Sequence, residues 1–571
     1  MKKWNIKQSV DKTKISELSK NLNISNVLTN LLIQRGIDNF DKAKKFFRSN
    51  LNDLYDPFLM KDMAVAVERL NRAIQNQEKV LIYGDYDVDG TTSIAMMYSF
   101  LKEYLNNINF YVPDRYDEGY GISFKSVEYA AENNFNLVIA LDCGIKAVDK
   151  INLANKKNVD YIICDHHTPG ETLPEAVAVL DPKRADCNYP FKELSGAGVG
   201  FKLLQAFTIK NNYDFDKLFS LLDLVAISIA SDIVPIIDEN RILAKFGLDI
   251  INKNPRTGIK SIIETSGLNN KNIIISDIVF KIGPRINAAG RIKNANDSVN
   301  VLISENKDEA KEFADTINKH NINRRDLDSS ITKQALEIIN NNPDLQKRKT
   351  TVLYNESWSK GVIGIVASRL IEHYYRPTII FTKSNNLLTG SARSVNGFDI
   401  YEALEKCSNL FVSFGGHKYA AGLSIKPENF DEFSETFEKI VSETIKSDDL
   451  IQKINIDSEI EFDEINNSFF KILKQLCPFG PGNMTPVFVS RNVSDNGKSR
   501  LVGNDKSHLK LSVFQKSNRQ SIDGIAFGLG EYLEKIQKNN NFDLCYTIEE
   551  NTFMNRTSLQ LMVRDIKINN D

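Results

Sequence analysis

Apolar residues recur at three- and four-residue intervals through KAKKFFRSN and AVAVERLNRAI, which predicts helices across residues 1–75 with NLNDLYDPFLMKDM as a loop between them. The period changes at residue 79. KVLIY (79–83) is a short apolar run that reads as a buried strand, and it ends in GDYDVDG. TTSIAMMYSFLKEYL follows with Ile94, Met97, Leu101 and Leu105 at helical spacing. NINFYVP, NLVIALDCG (136–144), VDYIICDHH (159–167) and VAVLDP (177–182) read as further strands, with helical patterns between several of them. Strands alternating with helices predict a parallel sheet covered on both faces. From about 196 to 345 the pattern is mostly helical, and the charged stretch 298–340, with His320, Arg324 and Arg325, reads as a connector helix between domains. A second α/β pattern starts near 350 with KTTVLYN, GVIGIVASRLIEHYY and PTIIFT. Residues 455–570 alternate in short runs with turn signals, as in a small β-barrel.

The expected fold is therefore α/β: a parallel-sheet domain and a smaller α/β domain joined by a long helix, plus a C-terminal barrel. The boundaries expected are 1–75 for an N-terminal helical segment, 76–240 for the parallel-sheet domain, 241–345 for a helical region with the connector, 346–448 for the second α/β domain and 449–571 for the barrel. A length of 571 residues accommodates this many domains. With 42% hydrophobic and 26% charged residues the composition is that of a soluble globular protein. There is no apolar run of about twenty residues, so no membrane span is expected. MKKWNIKQSVDK lacks the apolar core of a signal peptide, so the expected location is cytoplasmic. The six cysteines form no C-x-x-C pair, which argues against a disulfide framework or a cysteine-built zinc site. A net charge of -2 excludes a generally basic nucleic-acid coat but leaves room for a local basic groove.

The strongest chemical signal is Gly84-Asp-Tyr-Asp-Val-Asp-Gly90. Asp85, Asp87 and Asp89 follow a strand so closely that they repel one another unless a cation neutralises them. An extended turn would send Asp87 and Asp89 into one pocket, and Gly90 would permit a tight turn into the helix. A calcium loop fails, because a strand precedes the motif and the position six beyond Gly90 is Met96 rather than Glu. Two more strands end in ligand-type residues, Asp142 at one and Asp165, His166 and His167 at the other. Ligands of open α/β sheets sit beyond the carboxyl ends of strands, so these residues should meet at one edge. Asp232, in AISIASDIVP, is a carboxylate among apolar neighbours and a further ligand candidate. Oxygen ligands with one or two imidazoles favour Mn²⁺ or Mg²⁺ over zinc. There are enough for two ions with Asp142 as bridge, which points to phosphodiester or pyrophosphate hydrolysis. Cys143 and Cys164 flank the ligands and read as small core residues.

D-x-D-x-D-G, D-C-G-I, D-H-H and S-D-I-V-P occur in the order and spacing of the DHH phosphoesterases. VPDRYDEGYG, SGAGVGFKLL, IGPRINAAGRI, SWSKGVIGIVASRL, GSARSVNGFDIYEAL, SFGGHKYAAG and CPFGPGN together resemble the RecJ family of single-strand-specific DNA exonucleases, from about residue 30 to 566. The resemblance implies a DHH domain, a DHHA1 domain and an OB-fold. It implies two ions, one held by Asp87 and Asp142 with Asp85 in support, the other by Asp89, Asp142, His166 and Asp232. His167 would serve as substrate contact or general acid, and Asp165 would orient a histidine. Arg115, Arg285, Arg291 and Arg393, read as lying in loops rich in small residues, have the forks that match phosphate oxygens. The resemblance makes Arg115, Arg285, Ser391 and Arg393 the grip on the 5′ nucleotide, adds Asn287 and Arg291, and makes Gly415, Gly416 and His417 a DHHA1 substrate motif. The implied activity is digestion of single-stranded DNA from the 5′ end to mononucleotides, in repair and recombination. A helicase and a single-strand-binding protein are the implied helpers, and a monomer the expected state.

SGAGVGFKLL lacks the third glycine of a dinucleotide fingerprint and reads as a glycine loop leading into a helix. In the barrel, Lys498, Arg500, Lys506 and Lys510 form either a backbone track or a solvated face. NTFMNRTSLQL departs from the family's Trp-Asn-Gly, and Phe553 would take the tryptophan's place. Two rival functions remain. A short-oligonucleotide or cyclic-dinucleotide phosphodiesterase would be a shorter chain. An inactive scaffold homologue would have lost ligands that are present here.

Overall fold

A computed structural model describes residues 2–8, 10–269, 271–292, 295–516, 518–538, 541–553 and 556–569, with backbone only at 518–520 and 553. The expectation for Phe553 thus lies outside the described side chains. The chain divides into two compact units: Tyr55–Val234 with Phe246–Gln452, and Met1–Leu54 with Pro235–Lys245 and Lys453–Asp571.

The larger unit begins with a five-stranded sheet of β1 (Val80–Gly84), β2 (Ile108–Tyr111), β3 (Leu137–Leu141), β4 (Asp160–Cys164) and β5 (Ala178–Leu180). Every neighbouring pair is parallel, and the order is β2-β1-β3-β4-β5. Every residue of β1 and β3 is buried, as expected of parallel strands covered on both faces. One face carries Leu81, Tyr83, Val138, Ala140 and Ile163 against the helices Phe124–Glu132 and Val148–Lys156. Chain order reverses between β1 and β3, which makes their carboxyl ends a topological switch point where ligands bind.

Four helices frame that edge. Helix α1 (Val88–Leu101) starts at Asp87, whose carboxylate caps Gly90 N. Helix α2 (Gly196–Asn211) starts at Ser195, whose hydroxyl caps Gly198 N. The glycines of SGAGVGFKLL are therefore in the first turns of a helix, not in a loop before it. The physical reason is close approach: a Cβ on Gly196 would lie 2.5 Å from Asp142 Cβ. Helix α3 (Leu222–Ser231) ends at Asp232 and α4 (Gly283–Ile292) carries the GPRINAAGRI segment. The connector is α5 (Lys307–Asn340), 34 residues and about 50 Å long.

Beyond it lies a second sheet of β6 (Thr351–Tyr354), β7 (Thr378–Ser384), β8 (Leu387–Arg393), β9 (Phe411–His417) and β10 (Ala420–Ile425), in the order β9-β10-β8-β7-β6, with α6 (Ile363–His373) packed against it. Only β6 and β7 are parallel.

In the smaller unit, strands Phe488–Asp495, Phe542–Phe553, Arg556–Ile568, Asn518–Ala526 and His508–Gln515 pair in sequence. Val493–Asp495 then pairs with Val513–Gln515, which closes a five-stranded barrel. Its core includes Phe462, Leu473, Phe488, Val513 and Tyr546. The N-terminal segment is not all helical. Lys3–Ile6 forms a strand parallel to Lys453–Ile456, anchored by a bond from Trp4 Nε1 to Asp565 Oδ2 at 2.7 Å. Four residues are too few to carry a period, and their partner lies about 450 positions away. Among the described residues no helix is long and apolar enough to cross a membrane.

Candidate metal centre and substrate site

Four segments deliver acidic and imidazole groups to the switch point: the end of β1 with the first turn of α1, the end of β3, the end of β4 and the end of α3. Asp87 and Asp89 do not reach it along an extended turn. Asp87 is the helix cap and Asp89 lies in the first turn of α1. Gly90 is needed for space there, since a Cβ would lie 2.2 Å from Asp85 O. Asp89 is buried, and its carboxylate is held in place while Oδ2, with a single donor, keeps a lone pair for an ion. The carboxylate accepts from Gly196 N at 2.7 Å, Ala197 N at 2.8 Å and the Ser228 hydroxyl at 2.7 Å, so it locks the start of α2 to α1 and α3. Asp142 has φ +60, a left-handed conformation that Asp tolerates better than most residues. Asp232 is followed by Ile233 at φ +62, an outlier for a β-branched residue and the kind of strain that functional sites retain.

His166 Nε2 lies 3.1 Å from Asp142 Oδ1, 3.6 Å from Asp232 Oδ2 and 3.9 Å from Asp89 Oδ2. None of these is a hydrogen bond: Asp142 Oδ1, both ring nitrogens of His166 and Asp85 Oδ2 are buried without a partner. Unpartnered buried polar atoms are expensive, and several converging on one point need a ligand. Burial, reinforced by Asp89, pushes Asp142 well above the usual carboxylate range. Burial and Asp87 do the same for Asp85, and burial with Asp89 raises Asp87. Asp232 is pushed up to about 8 by burial, with Asp89 and Asp87 adding to it. Burial lowers His166, which leaves its imidazole neutral and able to ligate. These groups resist ionisation together unless a cation compensates. Two sets have ligand atoms within 4.8 Å of one another: Asp89, His166 and Asp232, and Asp142, His166 and His167. The residues present thus fit a divalent ion with oxygen and imidazole donors.

His167 is the weaker member of the second set, because both its ring nitrogens are engaged. Nδ1 lies 2.7 Å from Asp165 Oδ1, and Nε2 lies 3.1 Å from the Tyr120 hydroxyl. Tyr120 itself donates to Asp142 O at 3.1 Å, so its oxygen accepts from His167. Both bonds are satisfied by an imidazolium. Consistently, burial pulls the His167 pKa down, but the bond to Asp165 together with the charges of Asp165, Asp232 and Asp89 outweighs it and raises the pKa. Burial would raise Asp165, but the bond and charge of His167 and the amide of Ile145 overcome it and hold Asp165 at about 2.

The arginines expected in loops are mostly on regular elements. Arg285 and Arg291 are on α4 and Arg393 is in β8; only Arg115 is in a loop. Regular backbone fixes their direction better than a loop would. Arg115 Nε donates to Gly290 O at 3.1 Å and its guanidinium stacks 4.1 Å over Tyr86. Arg291 donates to Gly361 O at 3.1 Å, and burial followed by the charges of Arg115, Arg324 and Arg393 pushes it down to about 10. Arg285 donates to Asn318 Oδ1 at 2.9 Å, and Arg393 to the Ser391 hydroxyl at 3.1 Å. Asn287 Oδ1 is buried without a partner. Gly415, Gly416 and His417 lie at the end of the β9–β10 hairpin, where Gly416 has φ +153 and His417 is exposed. Among the described residues no hydrogen bond or ion pair ties His417 to the acidic cluster. Two neighbours of the cluster are not singled out by the sequence. Tyr120 is one residue among many in VPDRYDEGYG, and Lys183, whose charge lowers Asp232 and His166, carries no local signal at all.

Family models match three stretches: the DHH family N-terminal domain at 79–229, the DHHA1 domain at 347–443 and the RecJ OB domain at 456–565. The single-stranded-DNA-specific exonuclease RecJ of Bacillus subtilis is 35% identical over 569 residues, covering 99% of this chain and 71% of that protein. The one of Haemophilus influenzae is 34% identical, covering 94% and 95%. RecJ of Thermus thermophilus in complex with Mn²⁺ has the same fold, with a TM-score of 0.85, 23% identity and coverage of 100% of this chain and 80% of that one. A manganese-bound exonuclease RecJ matches with a TM-score of 0.59 and 29% identity over 68% of this chain and 96% of the other. With a third or more of its residues shared along nearly its whole length, and with the three domain types in order, this chain belongs to the RecJ family.

Proposed function

We propose that this chain hydrolyses the phosphodiester bonds of single-stranded DNA from the 5′ end to mononucleotides, with Mn²⁺ or Mg²⁺, in DNA repair and recombination. The observation that carries it is the set of buried, unpartnered ligand atoms on Asp85, Asp142 and His166 amid further carboxylates at the switch point. Asp87, Asp142 and Asp85 would hold one ion and Asp89, Asp142, His166 and Asp232 the other. Two such ions supply a nucleophile at neutral pH and neutralise phosphoryl oxygens. The chain's own residues do the rest. Arg115, Arg285, Asn287, Arg291, Ser391 and Arg393 grip the 5′ nucleotide, and Gly415, Gly416 and His417 of the hairpin contact the substrate. His167, held by Asp165, offers a proton at Nε2 to the departing oxygen. Scission breaks one P–O bond, and the water that attacks supplies both the new P–O bond and, through these groups, the leaving group's proton.

The domain boundaries of 1–75, 76–240, 241–345, 346–448 and 449–571 remain our reading of the modular plan. A helicase and a single-strand-binding protein are the proposed helpers, and a monomer the proposed state. The discriminating experiment is digestion of 5′- and 3′-labelled single strands of graded length with Mn²⁺. Mononucleotides released first from the 5′ label of long strands are expected. Cleavage confined to pieces of about two to five nucleotides would replace this reading with a short-oligonucleotide phosphodiesterase.

A further inference from the structure

The connector α5 carries a charged group that neither the metal centre nor the 5′ grip uses. Asp328 is fully buried in the middle of that helix. Its carboxylate binds two guanidiniums: Arg324 Nη1 at 3.0 Å on the same helix and Arg369 Nη2 at 2.8 Å on α6. Arg324 is fixed further by Asn321 Oδ1 at 2.6 Å. One negative charge against two positive ones leaves this trio cationic. Arg369 keeps a side chain 39% exposed, so part of its fork faces solvent. A buried carboxylate would be a poor choice for stability alone, since an apolar residue there would avoid the desolvation cost. It does fix two forks in one orientation, which is what phosphate recognition requires.

The trio also continues the basic cluster at the 5′ grip. Arg324 feels the charges of Arg369 and Arg325, and Arg291 feels those of Arg115, Arg393 and Arg324. Arg285 of the grip also bonds Asn318 on the same connector at 2.9 Å, so the trio and the grip share one helix. Collecting these arginines costs repulsion, and a polyanion longer than one nucleotide relieves it.

We infer that Arg324 and Arg369, oriented by the buried Asp328, form a second phosphate-binding station on the connector helix, which holds the backbone of the strand behind the nucleotide being cleaved. This deepens the exonuclease reading and rests on it. Arg324 and Arg369 would contact substrate, and Asp328 would be a positioning residue.

The test compares Arg369→Gln with the wild type on two substrates in Mn²⁺: a single strand of about 20 nucleotides and bis(p-nitrophenyl) phosphate, which is too small to span both stations. The loss in kcat/KM should be about tenfold greater on the strand, as expected for one charge-assisted contact, and it should appear in KM. The plot of log affinity against log salt for the strand should be shallower by about 0.7. Should Arg369→Gln melt early, Arg369→Lys keeps the ion pair with Asp328 and loses only the fork. It should retain the salt slope and lose part of the affinity. Equal losses on both substrates, or no loss on either, overturn the station. A wild-type protein that degrades no single strand at all, while still cleaving the small diester, would overturn the exonuclease reading instead.

Discussion

Asp142 concentrates the site's chemistry in one side chain. It is buried, its Oδ1 has no partner, and the nearest cationic candidate is a neutral imidazole. Asp142→Asn should remove Mn²⁺-dependent hydrolysis of single strands while the metal-free protein keeps its fold and melts no earlier, because the change also removes a carboxylate that its neighbours repel. A variant that still digests DNA at the wild-type rate would refute the bridging role. Asp232 gives a pH dependence. Its pKa is raised from the ordinary carboxylate value to about 8, so between about pH 4 and pH 8 the folded protein holds a proton that the unfolded chain has released. Stability of the metal-free protein should fall as pH rises through that window, since the folded state binds more protons there. Saturating Mn²⁺ should flatten the profile, as urea unfolding at pH 5 and pH 8 with and without chelator will read. At this scale much was legible: D-x-D-x-D-G and D-H-H announced themselves because like charges set side by side are costly without a cation. Tyr120 and Lys183 did not, because each matters only through a neighbour brought from elsewhere in the chain.

At the scale of elements, the start of α2 matters most. Gly196 N donates to Asp89, and the missing side chain lets the helix end sit against Asp142. Gly196→Ala should cost about 1–3 kcal/mol of stability by overpacking, and it should weaken Mn²⁺ binding by displacing Asp142. Calorimetry and metal titration would separate the two effects, and an unperturbed metal affinity would show that the approach is not needed. By sequence alone this segment reads as a glycine loop leading into a helix, because glycine is a poor helix former. The same bias puts Arg285 and Arg291 in a loop, although they stand on α4. In both places local propensity loses to packing: tertiary contacts fix a helix where small residues permit backbone and ligand carboxylate to meet.

For the whole molecule, the DHH lobe and the second α/β lobe are linked by α5 and by contacts such as that of Arg291 with Gly361 O. If the strand must thread between these lobes, blunt duplex DNA should resist digestion until a helicase or resection exposes a single strand. Fast degradation of blunt ends by the protein alone would contradict this. The alternation of buried strands and amphipathic helices determined the α/β plan by itself, because periodicity records which face of each element meets water. Strand-end motifs likewise determined the ligand types, because charge density shows in a short window. The tertiary structure alone decided what depends on long-range pairing. Lys3–Ile6 is a strand only because Lys453–Ile456 lies beside it. Asp328 is an organising anion only because Arg369 reaches it from another helix. Contacts between residues tens or hundreds of positions apart leave no period in the chain, so folding is what brings them into view.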